Sequence, residues 1–129
     1  MPAEIRGVVS RFSGYGRKLG YPTANLTADT KLPDGVFFGF ANLGGYTEHP
    51  ALIFVGTPVT VGDTDRRVEA HLLDISDKDY YGLELELKVC HYHRPNKNFA
   101  SINELIKAMH QDETAGRKWF AKQPDDGKS

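Results

Sequence analysis

The clearest pattern in the chain is a strict alternation of apolar and charged residues between positions 83 and 89. The apolar members are Leu83, Leu85, Leu87 and Val89, and the charged members between them are Glu84, Glu86 and Lys88. A period of two is typical of a β-strand with one buried and one solvated face. This segment is therefore predicted to be a strand that pairs antiparallel with its neighbours.

Short extended segments separated by turn residues occupy the first three quarters of the chain. The predicted strands cover residues 5–12, 36–43, 51–55, 68–75 and 83–92, and the turn signals are PDG at 33–35, GG at 44–45, GD at 62–63 and YG at 81–82. This spacing favours a small closed barrel over βαβ units, and closure would leave no exposed sheet edge. We expect a mainly β fold, a closed antiparallel Greek-key barrel of about six strands.

From Ser101 the period changes to that of a helix. The apolar positions are Ile102, Leu105, Ile106 and Met109. They recur at the spacing of one helix face, and Ser101 with Glu104 forms a capping box. The C-terminal helix is predicted to pack on the barrel, with Gly116 marking a close approach or the end of a first helical segment. We expect one domain over residues 1–122 and a mobile tail over residues 123–129.

Composition and charge limit the partners and the cellular location that the protein is expected to have. The chain has 129 residues and a net charge of −1, which argues against nucleic acid as a partner. No apolar run approaches the ~20 residues needed to cross a bilayer, and the N-terminus lacks a basic segment followed by an apolar stretch. With Cys90 as the sole cysteine, these features predict a cytoplasmic, soluble monomer without a disulfide or a membrane partner.

A zinc site near the only cysteine is one metal hypothesis. Cys90 is close in sequence to His91 and His93. In a strand, however, the two histidines share one face while the cysteine points to the other, and no second cluster supplies further ligands. We interpret all three as ordinary strand residues.

A glycine-rich loop followed by a PTAN element carries the strongest chemical signal. Residues 14–20 are GYGRKLG, and PTAN occupies residues 22–25. Backbone N–H groups and the cations Arg17 and Lys18 suit a nucleotide triphosphate. The side-chain oxygens of Thr23 and Asn25 suit a hard cation such as Mg²⁺.

Two commoner glycine-loop motifs do not fit this segment. The dinucleotide fingerprint needs a glycine where Leu19 stands, and the P-loop needs Lys-Ser or Lys-Thr where Tyr21-Pro22 stands. Pro22 also prevents the loop from running straight into a helix, so a strand or an irregular arm is expected next. Taken alone, the glycines could be turn residues, Thr23 a turn hydroxyl and Asn25 a backbone cap.

Four downstream motifs decide between these interpretations. They are GVFFG at 35–39, VEAHLLD at 68–74, YG at 81–82 and RPNKNF at 94–99. Together with PTAN, and in this order, they make the chain up to about residue 120 resemble riboflavin kinase. That family stands alone in eukaryotes and forms the C-terminal half of bacterial bifunctional FAD synthetases. The resemblance implies Mg²⁺-dependent transfer of the γ-phosphate of ATP to the 5′-hydroxyl of riboflavin, which gives FMN and ADP.

The resemblance also implies roles for individual residues. Glu69 matches the general base, which would orient the 5′-hydroxyl and take its proton as the bond to phosphorus forms. Thr23 and Asn25 are the implied ligands of Mg²⁺, or of Zn²⁺ or Mn²⁺ in its place. The implied nucleotide-binding residues are Gly14, Gly16, Arg17, Thr23, Asn25, Leu72, Asp74 and Tyr81. The implied flavin-binding residues are Arg94, Lys97 and Phe99.

Without the resemblance, each of these residues has a simpler interpretation. Glu69 would lie on the solvent face of a strand, Leu72 in the core, and Phe99 in a hydrophobic staple before the helix. Phe12 and Phe54 depart from the family pattern, and the corner at residues 56–58 is one residue short. We expect these departures to affect loop shape and affinity more than the reaction.

Two rival functions stay open at this point. A flavin-binding or regulatory module could keep the same pocket without efficient turnover. A barrel that binds oligonucleotides is disfavoured by the near-neutral charge and by the lack of a basic strand face studded with aromatic residues. The chain could also be a domain excised from a longer enzyme.

Overall fold

The computed structural model describes residues 3–10, 23–26, 30–57, 66–75 and 80–123. The strands within these ranges are β1 (Ala3–Val8), β2 (Ala24–Leu26), β3 (Gly35–Leu43), β4 (Tyr46–Gly56), β5 (Arg67–Leu72) and β6 (Glu84–Arg94). The helix is α1 (Ile102–Ala121). The predicted strands and the C-terminal helix are confirmed in type, with ends that differ by a few residues. The strand option for the segment after Pro22 is also confirmed, by β2.

All six strands join one antiparallel sheet in the order β1-β6-β3-β4-β5-β2. The sheet is strongly curled but open, so the predicted closed barrel is corrected to a half-barrel. Among the described residues, an isolated bridge joins Ser10, just after β1, to Asn25 of the other edge strand, β2, and there Ser10 N donates to Asn25 O at 2.7 Å. The physical reason is the length of β2, since a strand of three residues offers too little edge for a longer ladder.

The two faces of the curled sheet carry separate cores. Alternate residues of the strands form the larger, inner core, whose fully buried members include Leu26, Ile53, Val55 and Leu85. The smaller, outer core consists of Phe38, Leu52 and Leu73, packed against Ala115, Trp119 and Phe120. The helix therefore covers part of the outer face, as predicted for a helix that packs on the barrel.

Two glycines allow close packing, Gly116 between α1 and the sheet and Gly39 between neighbouring strands. Gly116 lies within α1, so the prediction of a close approach is confirmed and the alternative of a helix end is wrong. A Cβ atom at Gly116 would lie 2.7 Å from Leu52 Cδ2 and 3.2 Å from Phe38 Cε1. At Gly39 a Cβ atom would lie 2.1 Å from the Lys88 carbonyl oxygen, so the β3–β6 pairing excludes a side chain there.

The beginning of α1 largely follows the sequence prediction. The Ser101 hydroxyl accepts from Glu104 N at 3.2 Å, whereas the Glu104 carboxylate accepts from Ala100 N at 3.3 Å instead of closing the box on Ser101. The predicted apolar stripe from Ile102 to Met109 is only half-buried. The fully buried positions of the helix are Asp112 and Gly116, so the second half of α1 makes the closest contact with the sheet.

The histidines of β6 share one face, as the alternation predicts. The rings of His91 and His93 stack on Phe38 with centroid separations of 5.6 and 4.7 Å. Burial raises the pKa of the Cys90 thiol, with Lys88 opposing the shift.

The described ranges hold no group of three or more His, Cys, Asp or Glu side chains arranged for a metal ion. They also hold no helix that is long and apolar enough to cross a membrane.

Two of the predicted turns are confirmed, whereas the PDG signal at residues 33–35 is a bend that leads directly into β3 at Gly35. Gly44 and Gly45 form the turn between β3 and β4, and residues 81–82 form the turn before β6. The predicted turn at residues 62–63 and the predicted tail from residue 124 onward lie outside the described residues.

Candidate active site

Strand β5 divides its side chains between the two faces of the sheet. Val68, Ala70 and Leu72 belong to the inner core. Because successive side chains alternate, Arg67, Glu69 and His71 lie on the outer face. The predicted placement of His71 on the same side as Glu69 follows the strand alternation. The glutamate is thus held by a regular strand, on the face that the inner core does not occupy.

Glu69 lies between two neighbouring strands. Its Cα pairs with that of Asn25 in β2 and with that of Phe54 in β4. Residues paired across a sheet point to the same face, so these three side chains are neighbours. Phe54, one of the departures from the family pattern, is therefore directly opposite the candidate base.

A chain of hydrogen bonds joins both oxygens of the Glu69 carboxylate to its neighbours. The Thr23 hydroxyl donates to Oε1 at 3.1 Å, and Arg67 Nε donates to Oε2 at 2.9 Å. Asn25 Nδ2 donates to the Thr23 carbonyl at 3.3 Å. We call these four residues the base cluster. The structure therefore brings together three predicted site residues, Thr23, Asn25 and Glu69, and adds Arg67.

The base cluster is well shielded from solvent. The side chains of Arg67 and Glu69 are 6% and 16% exposed, and Asn25 is 7% exposed. A buried guanidinium and carboxylate tolerate such burial because each satisfies the charge of the other. The cluster is thus an ordered, charged site at the edge of the sheet.

The oxygens near Thr23 fit a hard cation. Because the hydroxyl proton of Thr23 points to Glu69, the lone pairs of its oxygen remain directed elsewhere. With Asn25 buried beside it, the pair offers neutral oxygen ligands next to a carboxylate. This donor set suits Mg²⁺, which prefers oxygens and retains water and phosphate oxygens in its remaining positions.

A second cluster forms where β6 meets α1. Arg94 Nε and Nη2 donate to Asp112 Oδ1 and Oδ2, each at 2.7 Å. Asp112 is 6% exposed, and His93 Nε2 lies 3.3 Å from its Oδ1. Burial lowers the pKa of His93, with the Asp112 charge opposing the shift. Arg94 therefore links the sheet to the helix through its ion pair with Asp112.

The predicted flavin residues gather around Phe99. The Arg94 guanidinium carbon and Lys97 Nζ lie 5.9 and 5.8 Å from the centroid of the Phe99 ring. Cations at this distance are attracted to an aromatic face. With Asp112 and Asn96, these three residues make up what we call the ring cluster.

Asn96 links the ring cluster to the end of β4. Its Nδ2 donates to the Val55 carbonyl at 2.9 Å, and Gly56 leaves the space for it, since a Cβ there would lie 2.1 Å from Nδ2. Asn96 Oδ1 is a buried acceptor for which no partner is found among the described residues. Gly56 pairs with Arg67, so the segment that follows β6 is brought next to the start of β5.

The register places both clusters on one row of the sheet. Glu69 pairs with Phe54, Phe54 with Val36, and Val36 with Arg94. Three strand spacings of about 4.8 Å separate the ends of this row, or about 14 Å along the sheet. An elongated ligand could therefore contact both clusters at once.

The remaining predicted nucleotide-binding residues within the described ranges are less well placed to contact a ligand through their side chains. Leu72 is 2% exposed in the inner core, so any contact with a ligand would come from its backbone. Asp74 has φ 62° and accepts from Arg117 Nη2 at 2.9 Å, and hydrogen bonding from Arg117 lowers the pKa of its carboxyl. Tyr81 is 52% exposed in the turn before β6. These three roles stay predictions.

Three predicted site residues lie outside the described residues, and three site residues were not predicted. Gly14, Gly16 and Arg17 lie outside the described residues. The missed residues are Arg67, Asn96 and Asp112. Alternation around Glu69 is a signal that could have revealed Arg67, whereas no local pattern marks the partners of Asn96 and Asp112.

Two solved structures share this fold. A Streptococcus pneumoniae structure titled a macrolide-efflux protein has a TM-score of 0.77 and 30% identity, and covers 92% of this chain and 39% of that one. The riboflavin kinase of Trypanosoma brucei has a TM-score of 0.69 and 23% identity, covering 94% and 81%. The second likeness shows the fold alone.

Sequence comparison gives the family. Residues 1–120 match the family described as riboflavin kinase (flavokinase). Human riboflavin kinase is 33% identical over 127 residues, which cover 92% of this chain and 81% of the human one. The chain belongs to the riboflavin kinase family. It spans only 33% of a 36% identical Arabidopsis thaliana protein, a bifunctional riboflavin kinase/FMN phosphatase, and 19% of a trifunctional Mycoplasmoides gallisepticum protein.

Proposed function

We propose that residues 1–122 form a riboflavin kinase domain, which transfers the γ-phosphate of ATP to the 5′-hydroxyl of riboflavin and releases FMN and ADP. The observation that carries the proposal is the hydrogen bond between Thr23 and Glu69. It joins a candidate base to a candidate metal ligand, the two groups that phosphoryl transfer must hold side by side. Family membership supports the same reaction.

In this proposal Glu69 acts as the general base. Its carboxylate accepts the proton of the 5′-hydroxyl as that oxygen forms a bond to the γ-phosphorus. The bond between the γ-phosphorus and the bridging oxygen breaks, and ADP leaves with the electron pair. Glu69 then returns the proton to solvent. An alcohol is not deprotonated beforehand, so the task of Glu69 is chiefly to orient the hydroxyl.

Thr23 and Asn25 would hold Mg²⁺ against the phosphates of ATP. When bound, this cation neutralises the charge that develops on the phosphoryl oxygens. The nucleotide would also contact Gly14, Gly16, Arg17, Leu72, Asp74 and Tyr81. Neutral ligands leave the positive charge of the cation available to the substrate. The hydrogen bond that the Thr23 hydroxyl donates to Glu69 keeps the hydroxyl oxygen correctly oriented.

The ring cluster would bind the isoalloxazine system. Phe99 offers an aromatic face, and Lys97 offers a donor to ring carbonyls. Because the donors of Arg94 are engaged by Asp112 and by the Pro95 carbonyl, Arg94 would contribute the face of its guanidinium. Binding at this end would project the ribityl chain along the row toward Glu69.

The direct experiment is a coupled assay of both products. The purified chain is incubated with riboflavin, ATP and Mg²⁺, and FMN and ADP are separated by chromatography. We expect equal amounts of FMN and ADP, and no product when EDTA replaces the cation. Tight binding of riboflavin without any FMN would instead identify a flavin-binding module.

A further inference from the structure

Arg67 is the member of the base cluster for which the family resemblance gave no role. It is the first residue of β5 and lies two residues before Glu69, on the same face of the strand. Its side chain is 6% exposed, although a guanidinium is costly to bury. Such burial indicates that the guanidinium has a specific role beside Glu69.

The contact between the two residues is made by one particular atom. Arg67 Nε donates to Glu69 Oε2 at 2.9 Å, while Oε1 accepts from Thr23 at 3.1 Å. With one donor on each oxygen, rotation of the carboxylate about its last bond would break both hydrogen bonds. The remaining lone pairs of the carboxylate are therefore held in fixed directions.

We propose that Arg67 is a positioning residue for the phosphoryl transfer, and that it acts by fixing the orientation of Glu69 through its Nε–H donor. This inference rests on the proposed function. Misplacement of a reacting group by about 1 Å can cost about a hundredfold in rate. A base that merely orients a hydroxyl depends especially strongly on its own orientation.

Two substitutions separate the hydrogen bond from the charge. Arg67→Gln places an amide nitrogen at the same position along the side chain as Nε, so it keeps a donor and removes the charge. Arg67→Met places a methyl group at that same position and removes both the donor and the charge. Arg6→Met is the matched control, since Arg6 pairs with Glu86 at 3.2 Å on the exposed surface of the same sheet.

The test measures kcat and both KM values for each variant. We expect Arg67→Met to lower kcat about ten- to a hundredfold, with the KM values for riboflavin and MgATP changed by no more than about twofold. Arg67→Gln should keep at least about a third of wild-type kcat, and Arg6→Met should match the wild type. A purely structural role for Arg67 would lower the amount of folded enzyme without this split between kcat and KM.

Several results would overturn the inference while leaving the proposed function intact. These are wild-type kcat in Arg67→Met, an effect on KM alone, or a Gln variant as slow as the Met variant. If Arg67→Met does not fold, the Gln variant decides, and a tenfold or larger loss of kcat in it overturns the inference. A wild-type chain that makes no FMN would contradict the proposed function, and the inference would fall with it.

Discussion

The base cluster and the ring cluster lie on one row of the sheet but are built in different ways. Strand pairing holds the base cluster, because Asn25 and Glu69 are direct neighbours in the β2–β5 ladder. Three members of the ring cluster, Asn96, Lys97 and Phe99, lie instead in a segment without regular structure between β6 and α1. There, side chains provide the attachment, through Arg94 to Asp112 and through Asn96 to the Val55 carbonyl.

The difference matches the role that the proposed function gives to each cluster. Proton transfer depends on positions to a fraction of an ångström, and a backbone ladder supplies that precision. Binding a broad aromatic ring tolerates adjustment, so a segment attached by a few side chains is sufficient. Changes in the base cluster should therefore affect turnover, and changes in the ring cluster should affect stability and riboflavin affinity.

Of the substitutions that leave Glu69 in place, Thr23→Val is expected to have the largest effect, because it keeps the shape of the side chain and removes its hydroxyl. This change removes a proposed metal ligand and the donor to Glu69 Oε1. We expect kcat/KM for MgATP to fall about a hundredfold, as measured by steady-state kinetics. Thr114→Val is the control, since its hydroxyl donates to the His110 carbonyl on exposed α1. Equal activity in the two variants would argue against a functional base cluster.

Asp112→Asn tests how the ring cluster is attached. Arg94 would keep a partly buried charge without its counter-ion, so we expect the free energy of unfolding to fall by about 2–3 kcal/mol in denaturant titrations. The KM for riboflavin should rise, because the segment from residue 95 to 99 loses its tie to the helix. Asp74→Asn, at an exposed ion pair, is the control and should cost less than about 1 kcal/mol. Similar losses in both variants would contradict the assignment.

A smaller change in affinity is expected from Phe99→Leu. The substitution keeps an apolar side chain and removes the aromatic face, which is worth about 0.5–1.5 kcal/mol, or about two- to thirteenfold in affinity. Riboflavin binding, followed by quenching of flavin fluorescence, should weaken by this factor while the KM for MgATP is unchanged. If the KM for MgATP rises instead, Phe99 belongs to the nucleotide side of the site.

The smallest effect is expected at the surface pair of Asp74 and Arg117. Arg117→Met removes this pair and also the pair between Arg117 and Glu113, and it should lower the free energy of unfolding by no more than about 1 kcal/mol at pH 7, because both pairs lie on the surface. The pKa of Asp74 is lowered by Arg117 in the folded state. Its contribution is therefore fully present above the unfolded pKa of about 3.9 and is lost as the pH falls through the lower, folded value. The free energies of unfolding of wild type and variant should therefore begin to converge only below about pH 4, and a difference that grows in acid would contradict this.

The sequence alone predicts the parts of the fold that depend on local periodicity. Alternation along residues 83–89 predicts strand β6, and the same rule places Glu69 and His71 on one face of β5. The capping residue Ser101 marks the start of the helix. Each of these features is decided within a few residues of the chain.

The features that were missed depend on contacts between distant segments. A three-residue strand such as β2 is too short for any period to be visible, and no local pattern reveals that the two sheet edges fail to close along their length. The Asn96 bond to Val55 joins residues 41 apart, and the Arg94 bond to Asp112 joins residues 18 apart. Such partners are set by how the strands are ordered, which the sequence pattern leaves open.

The most direct test of the account is the rate of a single phosphoryl transfer in Glu69→Gln. The variant keeps the size of the side chain, and Glu84→Gln on the exposed side of β6 is the matched control. With enzyme in excess over riboflavin, the account predicts that FMN formation slows about 10²- to 10⁴-fold in Glu69→Gln, while riboflavin and MgATP bind as in the wild type. A Glu69→Gln variant that makes FMN at the wild-type rate would contradict the role of Glu69 as the base.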